Sequence, residues 1–496
     1  MRSKTAWREP MRMNCLRSVR KMNISSNKNI FLGLFLFVVT PCMTQIHLEL
    51  HGHIKHYVHQ PLYVYKCYGD TLLLSDSLVT NENGEFVFNK SSSGSGQLYK
   101  FLLKRNQFFY LLMDGSFSGG AEIQTAYHPS PYNNIATDSL VVVKSDDNKQ
   151  FYRFQYLQAQ LNVANYWLLQ MMRLYPLPDP FHKKIENEYF ARYRAMDQFV
   201  RNQLKANPQA LATKVIKAYY EPVLPDWREP DPERNKIMLQ HYFDFFNPAD
   251  SFYLYSNILP RKTDLWYTMH SDKNQSQLWN ETSLMGGSDT LLLKMKNNQQ
   301  NFDFTLDYIL KKLNKEHYND AFLYLYDRYI KTEEGTCEPS TTTFNWAREK
   351  ANILRNIQIG SAGPDFDIEG NMKLSSLQGD YILLLFWASW CPHCREALPD
   401  IKKETDAFNQ NAGKKLITVA VSLDSSKADW QKFIQSGNYT TWFNTSELKR
   451  WEGKVPKLYN VYATPTMFLL DKDKKIIGKP EDIRQLMELL RSKSSG

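Results

Sequence analysis

No apolar run in this 496-residue sequence reaches the ~20 residues that a helix needs to cross a bilayer. Residues 30–39 (IFLGLFLFVV) come closest, at half that length. A hydrophobic content of 43% suits ordinary globular cores and does not point to a polytopic membrane protein. Basic charge is also scarcer than the net +9 suggests. Residues 1–28 hold eight Lys or Arg against Glu9 alone, so +7 of the +9 sits there and +2 is left on the rest. No basic stripe remains to bind a nucleic acid. Residues 29–44 carry no charge at all. Cysteine is sparse too, with six in the chain: Cys15, Cys42, Cys67, Cys337, Cys391 and Cys394.

What is present at the start reads as a secretory signal over residues 1–44. A basic segment leads into the short apolar run, then Thr40-Pro41-Cys42-Met43-Thr44, and Gln45 opens the mature chain. A buried or anchoring helix is the alternative. Lipid attachment at Cys42 is another, which Pro41 fits poorly. The start is open between Met1, Met11, Met13 and Met22. Export to the periplasm or cell envelope follows, where disulfides can form. Peripheral association with a membrane stays open. Cys391 and Cys394 are close enough to pair. Cys67 and Cys337 read either as a pair or as buried small hydrophobes.

Three further segments follow. Residues 45–148 read as a β-sandwich-like domain. Ile46-His47-Leu48-Glu49-Leu50 alternates as a half-buried strand does. Residues 62–65, 72–74, 85–88 and 140–143 are further strands, and Asn81-Glu82-Asn83-Gly84 is a turn. His47, Glu49, His51 and His53 share one face of the first strand, with His56 and His59 just beyond. A solvated face is the plain reading of this cluster, metal binding the sharper one, and no metal is expected. Residues 149–345 read as an α-helical domain of unknown role. A long helix over 151–175 stops at Pro176, and further helices include 302–313 and 318–330. Residues 358–496 read as an α/β domain. Residues 381–387 (YILLLFW) and 416–421 (LITVAV) are apolar throughout, as strands covered on both faces are. Residues 428–436 and 447–451 read as helices, 467–470 and 475–477 as a hairpin, and 481–492 as the closing helix.

Cys391-Pro392-His393-Cys394 falls where the 381–387 strand gives way to a helix. A Cys at a helix N-terminus meets unpaired N–H groups and the positive end of the dipole, which favour the thiolate. A second Cys three residues on lies one turn away and can resolve a mixed disulfide. Cys391 is then the attacking thiol and Cys394 the resolving one. Zinc would need a second ligand pair, and no other Cys-x-x-Cys exists. A c-type haem would need His after the second Cys, where Arg395 stands. A structural disulfide is the remaining alternative. No cofactor is expected.

The surrounding motifs resemble the thioredoxin-like envelope proteins of the TlpA/ResA type. Phe386-Trp387-Ala388-Ser389-Trp390-Cys391-Pro392-His393-Cys394-Arg395 is similar to that family's active-site stretch, and Gly363-Pro364-Asp365-Phe366 to its entry motif. Leu374-Ser375-Ser376-Leu377-Gln378-Gly379 is similar to the segment before its first core strand. Pro399 corresponds to the proline of its active-site helix, and Tyr462-Ala463-Thr464-Pro465-Thr466 to its cis-proline loop. The likeness covers residues 358–496. It implies a thioredoxin-like fold with an inserted segment near 428–459, and a thiol–disulfide oxidoreductase acting on envelope proteins. Thr464 and Pro465 would contact an extended client chain, and Trp390, Pro392 and His393 would tune the thiols. Residues 45–345 resemble the extensions of unknown function carried by such proteins.

Two positions depart from the pattern. Leu385 stands where thioredoxins bury an Asp six residues before the first Cys. Ala397 stands where many members carry Glu, with Glu396 one place earlier. The proton acceptor for Cys394 is therefore unassigned. The resemblance favours a reductase, whereas an imidazole at His393 would stabilise the thiolate and favour oxidation. The expected partners are protein thiols or disulfides and a protein that recycles the pair. An envelope scaffold with an accessory redox domain is the rival reading. A thiol peroxidase ranks last, because Ala388-Ser389-Trp390 replaces the Thr-x-x-Cys setting usual for that chemistry.

Overall fold

The computed structural model describes residues 46–92, 96–104, 106–114, 120–130, 132–220, 231–331, 343–368, 372–411 and 413–494. The expected signal segment, Cys15, Cys42 and Cys337 lie outside them. The chain divides into two compact units, one ending at Ala321 and the other beginning at Phe322.

The first unit opens with strands β1 (Ile46–Lys55), β2 (Pro61–Tyr68), β3 (Thr71–Val79), β4 (Glu85–Ser92), β5 (Gln97–Leu102), β6 (Phe108–Met113) and β7 (Ala121–Ala126). A short helix α1 (Ile135–Asp138) precedes β8 (Val141–Lys144). The strands form two four-stranded sheets, ordered β4-β1-β7-β8 and β3-β2-β5-β6. Alternation decides which face is buried: Leu50, Gly52 and Ile54 are buried, while Glu49 and His51 on the other face are exposed. Leu50 and Ile54 of one sheet share a core with Val64, Phe101 and Phe109 of the other, so the two sheets are layers of a sandwich. The Phe101 and Phe109 rings stack with centroids 5.0 Å apart. β1 runs antiparallel to β4 but parallel to β7.

Helices α2 (Asp146–Leu174), α3 (Pro180–Ala206), α4 (Leu211–Tyr219), α5 (Asp231–His241), α6 (Ile258–Met269), α7 (Gln277–Lys294) and α8 (Gln299–Lys315) complete this unit. α2 begins five residues before the start expected from apolar content. Ser145 caps it, its side chain accepting from the Asn148 N–H. Phe154 and Leu161 of α2, Met196 and Val200 of α3 and Ile216 of α4 form one buried cluster. Helix α9 (Asn319–Tyr329) spans the division between the units.

The second unit continues with α10 (Asn345–Asn356), a hairpin of β9 (Asp367–Ile368) and β10 (Met372–Lys373), then β11 (Tyr381–Trp387), α11 (Pro392–Asn411), β12 (Leu416–Ser422) and α12 (Lys427–Ser436). β13 (Phe443–Ser446), α13 (Lys454–Leu458), β14 (Thr466–Asp471), β15 (Ile476–Gly478) and α14 (Ile483–Ser494) close it. One sheet runs β13-β12-β11-β14-β15. β11, β12 and β13 are parallel, and β14 and β15 are antiparallel additions. Every residue of β11 and β12 is buried, as expected for central strands covered on both faces. The helix expected over 447–451 is not formed. Leu448 and Arg450 take φ of +54° and +51°, left-handed values that no α-helix continues through, and a 3-10 turn at Arg450–Glu452 leads into α13 instead.

Candidate active site

β11 ends at Trp387, and Ala388-Ser389-Trp390 turns the chain into α11, which begins at Pro392. Proline suits a first helical position, because its fixed φ is already helical and its missing N–H would have no partner there. Cys391 therefore sits at the helix entrance and Cys394 in its first turn. The Cys391 N–H donates to Ala388 O at 3.2 Å, and its carbonyl accepts from the Arg395 N–H at 3.2 Å. Both cysteines are free thiols. Cys391 is 5% exposed and Cys394 fully buried.

Sheet register brings a second loop to this point. β11 and β14 are antiparallel neighbours with Phe386 opposite Thr466, so the loop before β14 lies beside the turn after β11. The Thr464–Pro465 peptide in that loop is cis. The Cys391 thiol donates to the Thr464 carbonyl at 3.4 Å, and its sulfur accepts the Cys394 N–H at 3.3 Å.

The two thiols sit in unequal fields. Burial pushes the Cys391 thiol up. Hydrogen bonds from the Cys394 side chain, the Thr464 side chain and the backbone N–H groups of Cys394 and His393 outweigh it and hold the thiol below the ordinary range. Burial pushes the Cys394 thiol up to about 12, and its hydrogen bond to Cys391 adds to that rise. The pair thus has one thiol suited to ionise and one suited to stay protonated.

Cys391 and Cys394 are brought together with the cis Thr464–Pro465 peptide, and the other expected residues are exposed. Trp390 is 44% exposed and meets Trp451 edge to face at 6.4 Å. The side chains of Pro392 and His393 are exposed, and His393 acts on Cys391 through its backbone N–H. Pro399 lies inside α11. Leu385 is fully buried, and Glu396 is exposed on α11 while Cys394 is not. In the first unit, His51 Nε2 lies 2.9 Å from Glu49 Oε1 on the exposed face of β1. Among the described residues no three His, Cys, Asp or Glu side chains gather closely enough to hold a metal ion.

A buried network behind the cysteines was missed from sequence. Asp424, 1% exposed, follows β12 and accepts from Ser389 N–H at 3.0 Å, Ser389 Oγ at 2.6 Å and Ser422 Oγ at 2.7 Å. Arg395 Nε donates to Ser389 O at 2.7 Å. The available signal was Ser422-Leu423-Asp424 at the C-terminal end of a buried strand, where sites in open α/β sheets gather.

Comparison with known proteins agrees with this geometry. The profile of a thioredoxin-like family matches residues 379–476. The thiol-disulfide oxidoreductase ResA of Geobacillus thermodenitrificans is 30% identical over 145 residues, covering 27% of this chain and 79% of that protein. ResA of Oceanobacillus iheyensis is 29% identical over 136 residues, and the match spans 26% of this chain and 65% of the relative's length. A crystal structure of a thioredoxin-like protein from Bacteroides caccae aligns with 55% of this chain and 98% of its own, at 19% identity and a TM-score of 0.33. The five-stranded sheet with its Cys-x-x-Cys at the β11–α11 junction defines a thioredoxin-like domain. Through that domain the chain belongs to the ResA family of thiol–disulfide oxidoreductases.

Proposed function

We propose that the chain exchanges disulfides with proteins of the cell envelope through Cys391 and Cys394, in the reducing direction. The Cys391 thiolate attacks a client disulfide, forming a mixed disulfide and releasing one client thiolate. The Cys394 sulfur, on losing its proton, attacks Cys391 and releases the second client thiolate. Two electrons pass to the client and the pair is left oxidised, so an external dithiol must restore it. The observation that carries this reading is the inequality of the two thiols at the helix entrance: Cys391 is lowered and accepts the Cys394 N–H, while Cys394 is fully buried and raised. The half-buried Thr464 and Pro465 beside the sulfur offer backbone to an extended client segment. The signal-like pattern of residues 1–44, a basic segment before a short apolar run, supports an envelope location.

The test is direct. The reduced protein reduces a disulfide-bonded substrate, and the couple's potential is measured against glutathione. A potential of about −270 mV supports the reductant, whereas about −120 mV makes it an oxidant. Absence of any exchange refutes the enzyme reading.

A second reading gives the first unit a client-binding role. Val163, Trp167 and Leu174 on α2 are 61%, 61% and 72% exposed, and spacings of four and seven residues put them on one helix face. Under this reading Trp167→Glu lowers client capture by the full chain while leaving exchange with a small disulfide unchanged.

A further inference from the structure

Asp424 has no part in the exchange steps above, yet its setting is more constrained than a structural loop requires. Its three side-chain hydrogen bonds come from neutral donors, two on Ser389 and one on Ser422. A buried carboxylate satisfied only by neutral donors is costly to keep, and a charged acceptor makes each bond stronger and shorter than a neutral one would. Ser389 is 6% exposed, and every polar group it owns is engaged. Its N–H and O–H go to the two oxygens of Asp424, and its carbonyl accepts from Arg395 in the first turn of α11. Ser422 closes the far side, its hydroxyl accepting from the Asp424 N–H at 3.0 Å while donating to the carboxylate.

We propose that Asp424 is a positioning residue for the reactive sulfur: it clamps Ser389 to the end of β12 and so sets where Cys391, two residues on, presents its thiolate. The inference rests on the thiol-exchange reading and extends it. The turn between β11 and α11 has Cys391 N–H bound to Ala388 O and Arg395 N–H bound to Cys391 O. Without an outside anchor that short turn could pivot about its own hydrogen bonds. Asp424 supplies the anchor from β12, and Arg395 supplies it from α11. With both in place the sulfur meets the Cys394 N–H at 3.3 Å and the Thr464 carbonyl at 3.4 Å. Loss of the clamp leaves those distances unheld, and the thiolate loses the Cys394 N–H donor that favours it.

Charge alone would act in the opposite direction, since a nearby carboxylate disfavours a thiolate. Three variants of the full chain separate the effects, read by the pH profile of Cys391 alkylation and by the couple's reduction potential. Asp424→Ala removes acceptor and charge. Asp424→Asn removes the charge and keeps an oxygen for Ser389. Ser389→Ala removes one bond, and is the milder variant should Asp424→Ala fold poorly. Positioning predicts that Asp424→Ala slows alkylation of Cys391 near neutral pH by about tenfold, about what one charged hydrogen bond contributes. It also raises that cysteine's pKa and makes the couple more reducing. Asp424→Asn retains most of the wild-type profile, and Ser389→Ala falls between. The inference is overturned if both Asp424 variants lower the Cys391 pKa alike. It is equally overturned if folded Asp424→Ala and Ser389→Ala keep the wild-type profile and potential. Alkylation needs no client, so these outcomes stand apart from a failure of the wild-type protein to exchange disulfides, which would sink the functional reading instead.

Discussion

The Thr464 carbonyl oxygen stands 3.4 Å from the Cys391 sulfur, although 73 positions separate the two residues in the chain. The contact couples the nucleophile to the loop before β14. The Thr464 side chain is also among the groups that hold the Cys391 thiol down against its burial. Cys391 is therefore expected to react with a thiol-alkylating reagent through a single ionisation below 9, while Cys394 stays protonated up to about 12. Thr464→Ala should move the Cys391 profile to higher pH and cut its rate near neutrality several-fold. Peptide mapping of the alkylated protein across pH checks both points. Equal labelling of the two cysteines at every pH would contradict the asymmetry.

Cys394→Ser removes the resolving thiol and leaves the attacking one. Mixed disulfides between Cys391 and client proteins should accumulate in cells making this variant, and should release on reduction. Cys391→Ser should form none and should lower exchange to the uncatalysed rate. Non-reducing gels followed by peptide mapping of the adducts distinguish the two. Adducts on Cys394 in the Cys391→Ser protein would reverse the assigned order of attack.

Much of this site could be read directly from the chain. An unbroken apolar run of seven residues at 381–387, short for a helix, reads as a strand covered on both faces, and the Cys-x-x-Cys that follows after three intervening residues reads as a helix entrance. Both follow from local pattern. Asp424 could not be found in the same way. An Asp after a strand reads as a solvated loop residue, and its burial follows only from the parallel pairing of β11 with β12, which sets Trp387 opposite Ser422. The parallel pairing of β1 with β7 was hidden for the same reason, because register between distant strands leaves no local trace. The inserted segment misled for a different one: residues 447–451 have helical composition, but Leu448 and Arg450 turn left-handed there.

Cys67 makes a contrasting thiol. It is 1% exposed on β2, and burial pushes its thiol up to about 11, with Lys100 opposing weakly. The unfolded thiol ionises near 9, the ordinary value, so the native state disfavours its thiolate. The sign follows: this contribution to stability is whole below pH 9 and is lost as pH rises from about 9 to 11. The loss amounts to at most ~3 kcal/mol. Denaturant midpoints at mildly and strongly alkaline pH should therefore fall further for the wild type than for Cys67→Val. Cys67 should also resist alkylation in the native protein at pH values where Cys391 reacts. A wild-type and variant pair with the same alkaline slope would show that Cys67 plays no part in it.

The turn between β3 and β4 tests a backbone constraint. Gly84 has φ of +78°, and an added Cβ would stand 2.5 Å from the Ile54 carbonyl oxygen on β1. The Gly84 carbonyl itself accepts from the Ile54 N–H at 2.8 Å, so the turn cannot back away without breaking that bond. Asn81 holds the other side, its side-chain oxygen accepting from Asn83 N–H at 2.9 Å and Glu85 N–H at 2.8 Å. Gly84→Ala therefore carries both a left-handed penalty and a clash with backbone, and is expected to cost ~3 kcal/mol. Gly413 provides the control. Its φ is +62°, but a Cβ there meets nothing within 4 Å, so Gly413→Ala carries the left-handed penalty alone, ~1 kcal/mol. Denaturant titration of the two variants measures the difference. Equal costs would mean that the β1 carbonyl yields to the methyl, and that the turn is not pinned to the sandwich as the geometry requires.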